Sequence, residues 1–451
     1  MEVHIRYARH LPRVGLLVIV GLAAVAGCGD RRGSSTNGSA GCAPGYADAA
    51  FAIELRDGRI AVLVVSGDRH DSYQLALLTP SGSSVRGAAP VRVRSSAGPL
   101  VNIEQAIVDG RDRLLMATSV ALAMARAPAF TRPALLRRKA DGRPDATFGR
   151  NGTVTLGRAH GIRYGAFHAV TVLADGRVVA AGTANGRLLI ARFSSRGRLD
   201  PTFGTRGVRI VSLGTRARAE TATAISVLPD RSLLLSGEGR TFGEPADDVR
   251  VVLGRVARNG DRVDEAVGRT DLSTNGRVFG QIMRPGGAWI IGDSKDERFV
   301  LARITRHGRF DARFGRRGVV THRLPRPRDA RDVAGGASFA GGGVFVAGNS
   351  TPDVDIRFAD GEVYNEARET PVLATFDSEG LRVRSTCSPT PVRPPGVWGA
   401  ELASVAPVDG GLIAAGWTRP QPTKQEIDAF TEGRLPTSPV VFRATMPPSR
   451  P

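Results

Sequence analysis

The chain contains very little lysine. Of its 62 basic residues, all but Lys139, Lys295 and Lys424 are arginine. The arginines are scattered through every segment, so the formal charge of +19 does not form the contiguous basic surface that nucleic-acid binding requires. A bias of this kind is typical of a GC-rich coding sequence. We therefore expect no nucleic-acid partner, while adhesion to acidic cell-wall polymers or anionic headgroups stays open.

Recognisable catalytic motifs are absent as well. There is no Gly-x-Ser-x-Gly elbow and no phosphate-binding loop. None of the histidines beyond residue 28 has metal-ligand spacing; they are His70, His160, His168, His307 and His322. We expect no catalytic residue, no metal and no cofactor, although an enzyme can assemble its site from positions that are distant in sequence.

The N-terminus has the layout of a secretory signal. Basic residues precede an apolar run from Val14 to Ala26, which is too short to span a bilayer comfortably. Val25-Ala26-Gly27-Cys28 resembles the lipobox of bacterial lipoproteins, in which the cysteine carries the lipid. We therefore predict a signal peptide over residues 1–27, lipidation of Cys28, and a membrane lipid as its partner on the extracytoplasmic side. Residues 28–47 then form a small, polar, flexible tether.

Internal repeats dominate the rest of the chain. Three segments that end in Phe-Gly read alike, at 135–149, 190–204 and 301–315, and a degenerate copy lies at 253–264. Turn signals followed by apolar runs occur seven times, beginning at Arg56, Val108, Ala174, Pro229, Pro285, Gly341 and Val408. Asp-Gly between apolar runs is a strong hairpin signal. The pattern predicts an all-β fold, a β-propeller of seven blades with about four antiparallel strands each, over residues 48–446, followed by a short tail at 447–451. A solenoid is the alternative, although its period is usually shorter.

The Asp-x-x-Phe-Gly segments suggest structural turns. The aspartates can accept backbone N–H bonds, the phenylalanines can fill a gap between sheets, and the glycines can take left-handed φ. We interpret them as repeat turns and not as a calcium site, because each repeat contributes one aspartate: Asp145, Phe148 and Gly149; Asp200, Phe203 and Gly204; Asp311, Phe314 and Gly315. Arginines recur on one face of the third strand, at 137, 192, 255, 303 and 443. We expect them either to face solvent or to make contacts between units, in preference to forming a ligand-binding ring.

The best copy resembles a known family. Asp-Gly-Arg-Val-Val-Ala-Ala-Gly followed by Leu-Ile-Ala-Arg-Phe-x-x-x-Gly-x-Leu-Asp-x-Thr-Phe-Gly, within residues 165–214, is similar to the delta-60 repeat. The resemblance is good over 135–215 and 281–320 and thin over 48–98 and 330–446. It implies propeller blades in an exported or surface protein, and no common reaction.

Two cysteines remain for a disulfide outside the cytoplasm. Cys42 precedes the first strand, and Cys387 follows the fourth strand of the sixth unit. A propeller must join its ends, and the segment around Cys42 could lie along the outer edge of the seventh unit. We therefore predict a Cys42–Cys387 bond.

The sequence favours a non-catalytic binding or scaffolding module at the cell envelope, with an envelope polymer or a surface protein as its partner. The alternative is a propeller enzyme, a hydrolase or lyase, that acts on an extracellular saccharide or small molecule. Long insertions at 240–250, 350–370 and 419–436 carry the variation expected of binding loops. The second is acidic and could hold a cation, but a solvated loop that pairs with nearby arginines is the interpretation we favour.

Overall fold

The computed structural model describes thirty strands in the chain. The described residues are 16–19, 47–66, 72–80, 84–121, 131–212, 219–241, 248–265, 278–284, 286–293, 299–322, 331–340, 343–351, 353–357, 363–367, 370–376, 383–386, 397–408, 411–420 and 438–445. The described residues contain one helical element, a 3₁₀ turn at Arg158–His160. No helix among them is long and apolar enough to cross a membrane.

The strands form seven four-stranded antiparallel sheets and one two-stranded sheet among the described residues. Strand β1 (Leu16–Ile19) belongs to sheet VII. Sheets I to III contain β2 (Ala47–Glu54), β3 (Ile60–Ser66), β4 (Ser72–Leu78) and β5 (Val91–Val93); β6 (Leu100–Val108), β7 (Leu114–Ala121), β8 (Thr131–Arg138) and β9 (Thr153–Thr155); β10 (Gly165–Val172), β11 (Val178–Ala184), β12 (Arg187–Phe193) and β13 (Val208–Val211). Sheets IV and V contain β14 (Ala219–Val227), β15 (Leu233–Thr241), β16 (Asp248–Val256) and β17 (Val263–Glu265); β18 (Val278–Arg284), β19 (Gly287–Asp293), β20 (Phe299–Thr305) and β21 (Val319–His322). Sheet VI contains β22 (Arg331–Ala340), β23 (Gly343–Thr351), β26 (Thr370–Phe376) and β27 (Val383–Thr386), and the separate hairpin is β24 (Asp353–Arg357) with β25 (Val363–Ala367). Sheet VII contains β28 (Val397–Val408), β29 (Gly411–Pro420), β30 (Ser438–Thr445) and β1.

The sheets are arranged in a closed ring. The first strand of each sheet contacts the first strand of the next, from β2 through β6, β10, β14, β18 and β22 to β28, and β28 contacts β2 again. Because these first strands line the inside of the ring, each sheet radiates outward from its first strand. The all-β propeller fold predicted from the repeats is confirmed.

Apolar side chains hold neighbouring sheets together. Between sheets II and III the core contains Leu135, Phe148, Phe167, Leu189 and Phe193, all almost completely buried. Phe167 and Phe193 pack edge to face, with ring centroids 6.2 Å apart. Alternate residues of each middle strand thus face opposite neighbours, which is why these strands read as nearly continuous apolar runs in the sequence.

Every innermost strand carries a β-bulge at the same point of its register. The bulged residues are Ala50, Glu104, His168, Thr223, Phe279, Gly335 and Ala403. In five sheets the residue opposite the bulge, on the second strand, is a glycine: Gly182, Gly237, Gly292, Gly348 and Gly416. A Cβ at Gly182 would lie 2.1 Å from the Ala166 carbonyl oxygen. In these five sheets, the glycine near the end of the apolar run is therefore explained by the close approach of the bulged backbone.

Two segments differ from expectation. The outer edge of sheet VII is occupied by β1, which pairs antiparallel with β30 from Leu16↔Ala444 to Ile19↔Val441. This strand lies inside the predicted signal peptide, at the edge where we expected the segment around Cys42. The acidic insertion at 350–370 contains the β24–β25 hairpin, so it is at least partly ordered into strands.

Candidate functional site: the turn face between sheets II and III

The predicted repeat turns of sheets II and III bury an arginine–aspartate pair. Arg137 Nε lies 2.7 Å from Asp145 Oδ2, and Arg192 Nε lies 2.8 Å from Asp200 Oδ2. Both arginines are almost fully buried, with 1% and 3% of their surface exposed. The recurring arginines of these two sheets therefore do not face solvent.

Each aspartate also closes its own turn. Asp145 Oδ1 accepts hydrogen bonds from the backbone N–H of Thr147 (3.0 Å) and from its hydroxyl (2.7 Å), and Asp200 does the same with Thr202. Burial raises the pKa of Asp145 and Asp200, but these hydrogen bonds and the neighbouring guanidinium groups outweigh burial and leave both pKa values below their ordinary range. Both carboxyl groups are therefore charged partners of their arginines at neutral pH.

The same arginines connect one sheet to the next. Arg137 Nη1 donates to the Ser195 carbonyl of sheet III (2.6 Å), and Arg192 Nη1 donates to the Arg258 carbonyl of sheet IV (2.5 Å). The turn glycines follow this pattern, because the Gly149 N–H donates to the Arg196 carbonyl. We call this arrangement of arginine, aspartate, phenylalanine and glycine the inter-sheet clasp.

Phenylalanine and glycine complete the clasp. Phe148 and Phe203 are fully buried, and the guanidinium carbons of Arg137 and Arg192 lie 4.3 and 4.8 Å from their ring centroids. Gly149 and Gly204 adopt φ of +56° and +51°, the left-handed region.

The clasp weakens in later sheets. In sheet V the Arg303–Asp311 pair (2.9 Å) is more exposed, and Arg313 stands where the other copies have a threonine. Phe314 is buried there against Trp289, and Gly315 has a φ of +49°. In sheet IV, Arg255 instead pairs with Asp230 of the first hairpin.

The hairpins between first and second strands also repeat, with one change of charge. Their left-handed residues are Gly58, Asp112, Gly176 and Arg231 in sheets I to IV. The preceding residue is Asp57, Asp175 or Asp230 in three of these hairpins, and Arg111 in sheet II. The hairpin signal at Val108-Asp-Gly is thus shifted in register, because Asp112 and not Gly110 takes the left-handed position. The replacement of aspartate by Arg111 becomes visible when the hairpins are aligned on their left-handed residues and not on their Asp-Gly pairs.

A groove of about 1000 Å³ opens between the hairpins of sheets II and III. Its inner part is lined by Ile107, Val108, Val172 and Leu173, which are partly buried. Its polar lining contains both signs of charge as well as hydroxyl groups: Asp109, Arg111, Arg113, Arg137, Thr147, Asp175, Ser195 and Arg196. The clasp forms the outer end of this groove. We call it the II–III groove.

Charges in the II–III groove are only partly paired. Arg113 Nη2 lies 2.6 Å from Asp109 Oδ2. Burial raises the pKa of Asp109, but the charge and side-chain hydrogen bond of Arg113, together with the backbone N–H groups of Arg111 and Arg113, outweigh burial and lower the pKa below its usual value. Arg111 and Arg196 are exposed, and their guanidinium groups have no hydrogen-bond or ion-pair partner in the described part of the chain. Each wall of the groove therefore presents one unpaired guanidinium group, beside the paired carboxylates of Asp109 and Asp175.

Two ionisable residues of neighbouring innermost strands, His168 and Glu104, lie close to each other on the inner ring. His168 Nδ1 lies 3.8 Å from Glu104 Oε2, and both residues are the bulges of their strands. Burial raises the pKa of Glu104, but the neighbouring His168 and Asn102 side chains together outweigh burial and lower the pKa. No group of three or more metal-ligating side chains occurs in the described ranges.

The three cysteines are not among the described residues. Cys28, Cys42 and Cys387 are outside the described residues, as is the C-terminal tail at 447–451. Their predicted roles in lipidation and disulfide formation, and the delta-60 assignment, stay predictions.

The fold places this chain in the class of β-propellers. No family model matches the chain, and no curated protein matches it. Among solved structures it is similar to the β-propeller domain of Cps50 (Swd1) from Myceliophteria thermophila, with 12% identity, a TM-score of 0.42, and coverage of 82% of this chain and 94% of that one. It is also similar to a protein from Lactobacillus plantarum (13% identity, TM-score 0.38, 70% and 91% coverage). A puromycin-hydrolysing peptidase of Mycobacterium tuberculosis is matched over 84% of this chain and 51% of its own length, with 12% identity and a TM-score of 0.45.

Proposed function

We propose that this protein is a membrane-anchored extracytoplasmic lipoprotein whose propeller is a non-catalytic binding module for a partner at the cell envelope. The observation that carries the binding role is the II–III groove. It combines a small apolar patch with a larger polar surface rich in arginine, a make-up that suits a polar or anionic ligand. Its outer end is held by the buried Arg137–Asp145 pair, so the groove is formed before any ligand arrives.

The anchoring role depends on the Val25-Ala26-Gly27-Cys28 sequence. Removal of residues 1–27 would also remove β1, and β30 would then become the outer strand of sheet VII. Mass spectrometry of the N-terminal peptide from cell membranes tests this directly. A diacylated or triacylated Cys28 at the N-terminus is the expected result, and an intact peptide that contains residues 16–19 would contradict it.

Membrane fractionation tests the anchor, and retention on envelope material tests the binding. Cys28→Ala should move the protein from the membrane to the soluble fraction, since lipid chains provide the membrane affinity. The full chain, purified in detergent, should be retained on isolated cell-envelope polymers. Membrane retention of the variant would disprove the anchor, and failure of the wild type to bind envelope material would disprove the binding role.

A propeller enzyme is the second candidate, and the His168–Glu104 pair is the observation that favours it. A carboxylate beside an imidazole can orient it for general acid–base chemistry, and bulges often direct side chains into active sites. A screen of hydrolase and lyase activity against extracellular polysaccharides tests it. Activity that is lost in His168→Ala would support the enzyme, and no activity in the wild type would exclude it for those substrates.

A further inference from the structure

The charge switch at Arg111 distinguishes the II–III groove from the other described hairpins. Where sheets I and III carry an aspartate at this position, that aspartate pairs with the arginine two residues later: Asp57 with Arg59, and Asp175 with Arg177, each at 2.6 Å. In both sheets this aspartate is thus paired within its own hairpin. In sheet II the aspartate lies two residues earlier, at position 109, and is already paired with Arg113. Asp112 balances the formal charge of this hairpin, but its carboxylate accepts the backbone N–H of Arg56 in sheet I. The Arg111 guanidinium group therefore has no ion-pair partner among the described residues.

Arg196 on the facing wall has a fixed backbone and a free side chain. Its carbonyl accepts the Gly149 N–H at 2.9 Å, and the carbonyl of the preceding Ser195 accepts Arg137 Nη1. The inter-sheet clasp thus fixes the turn that carries Arg196. The guanidinium group itself is exposed and has no partner among the described residues. Less entropy is lost when such a side chain binds, because its backbone is already ordered.

We propose that the II–III groove binds an acidic oligosaccharide, whose carboxylate or phosphate groups are held by Arg111 and Arg196. Guanidinium groups bind both kinds of oxyanion through two parallel N–H···O bonds. The neighbouring apolar wall of Ile107, Val108 and Val172 can cover the less polar face of a sugar ring. The volume of about 1000 Å³ accommodates several sugar units. This inference names a ligand class for the binding role proposed above, and it rests on that proposal.

Isothermal titration of the full chain in detergent micelles tests the ligand class. The probes are trigalacturonate for the carboxylate, a glycerol-phosphate trimer for the phosphate, and maltotriose as a neutral sugar of similar size. At least one acidic probe should bind, with an affinity that falls as salt is added, and maltotriose should bind at least about tenfold more weakly. The acidic probe that binds identifies the anion. Equal binding of maltotriose, or no binding of either acidic probe, would overturn the inference.

Matched arginine variants test the site. Arg111→Asp restores the residue type found in the other hairpins, and Arg196→Gln removes the charge from the facing wall. Each variant should bind the acidic probe about tenfold or more weakly than the wild type does. Arg187→Asp is the control, because Arg187 is exposed, lacks a side-chain partner among the described residues, and lies at the opposite end of the strands, where β11 meets β12. Unchanged affinity in the Arg111 and Arg196 variants, or an equal loss in the control, would overturn the assignment to this groove.

Envelope retention separates this inference from the proposed function. If the double variant Arg111→Asp with Arg196→Gln is still retained on envelope polymers like the wild type, the binding role stands and the groove assignment fails. If the wild type binds an acidic trimer through these arginines but is not retained on envelope material, the groove chemistry stands and the envelope role fails.

Discussion

Arg192 and Asp200 are paired in an almost dry position between two sheets. The arginine is 3% exposed, and its guanidinium group contacts the carboxylate, the Thr202 hydroxyl and a carbonyl of the next sheet. A buried charge is tolerated only when its partner and its hydrogen bonds are complete. Burial lowers the pKa of Arg192, although Asp200 opposes this effect. Removing either member should therefore cost more than the net stability that the pair contributes.

The variant Asp200→Asn tests this argument. Because it leaves the Arg192 guanidinium buried without its counter-charge, we expect a loss of about 3–5 kcal/mol of stability. The matched control is Asp264→Asn, which breaks the exposed Arg262–Asp264 pair (2.9 Å) and should cost no more than about 1 kcal/mol. Urea denaturation of both variants gives the comparison. Similar losses of unfolding free energy in the two variants would show that the buried ion pair matters no more for stability than the exposed one.

Acid should weaken the fold through the same carboxylates. The folded pKa values of Asp145 and Asp200 lie below those of the unfolded chain, so the stability that they contribute is fully present above the unfolded value of about 3.9. It is lost as the pH falls from there through the lowered folded values. When the pH is lowered below about 4, the urea midpoint of the wild type should decrease, and that of Asp200→Asn should decrease less steeply. Parallel pH profiles would contradict this assignment.

Residue types in the clasp could be predicted from the sequence, but their contacts could not. Asp145 and Gly149 could be assigned to a turn because of their spacing and chemistry. The burial of Arg137 could not be inferred, because an arginine that alternates with apolar residues has the same pattern whether it faces water or the next sheet. Arg111 was missed because an Asp-Gly pair two residues earlier imitates the hairpin signal of the other repeats.

At the scale of elements, the bulges determine where glycine is required. Each innermost strand has a bulge at the same point of its register. In sheet III the carbonyl of Ala166, two residues before the bulged His168, approaches Gly182 on the second strand. In sheet II the residue opposite the bulge is Thr118, whose hydroxyl donates to the Asn102 carbonyl instead. The bulge is thus kept in a sheet that lacks the glycine.

Gly182→Ala tests the requirement. Its Cβ would lie 2.1 Å from the Ala166 carbonyl oxygen, so the backbone must shift, and we expect a loss of about 1–3 kcal/mol. Gly280→Ala is the control, because this strand glycine has no atom within 4 Å of its added Cβ. It should be neutral or slightly stabilising, since alanine costs less conformational entropy than glycine. Thermal melting compares the two, and equal melting temperatures would refute the close approach.

At the scale of the whole molecule, the ring must be closed by contacts between its first and last sheets. Sheet VII contacts sheet I through β2, and it contacts sheet VI through β22 and β28. In the structure the outer edge of sheet VII is completed by β1. If the signal peptide is removed, closure depends on side-chain packing and on the predicted Cys42–Cys387 bond.

Reduction of that bond should loosen the closed ring. A cross-link over more than 340 residues restricts the unfolded chain strongly, and chain-entropy reasoning puts its contribution at about 6 kcal/mol. Cys387→Ser should therefore lower the melting temperature of the exported protein, and added reductant should lower that of the wild type to the same value. Peptide mapping under non-reducing conditions identifies the bond. A free thiol at Cys42 in the exported wild type would disprove it.

The sequence by itself determined the repeat, the strand class and the turn chemistry, because these depend on local periodicity and on residues with special backbone freedom. The turn signal that begins at Ala174, for example, lies between β10 and β11. Only the tertiary structure decided which polar side chains meet. The Arg137 guanidinium reaches a carbonyl 58 residues later, and the II–III groove combines hairpins from two sheets. Contacts between sheets depend on how the ring packs neighbouring blades against each other, and no local pattern in the chain encodes that geometry.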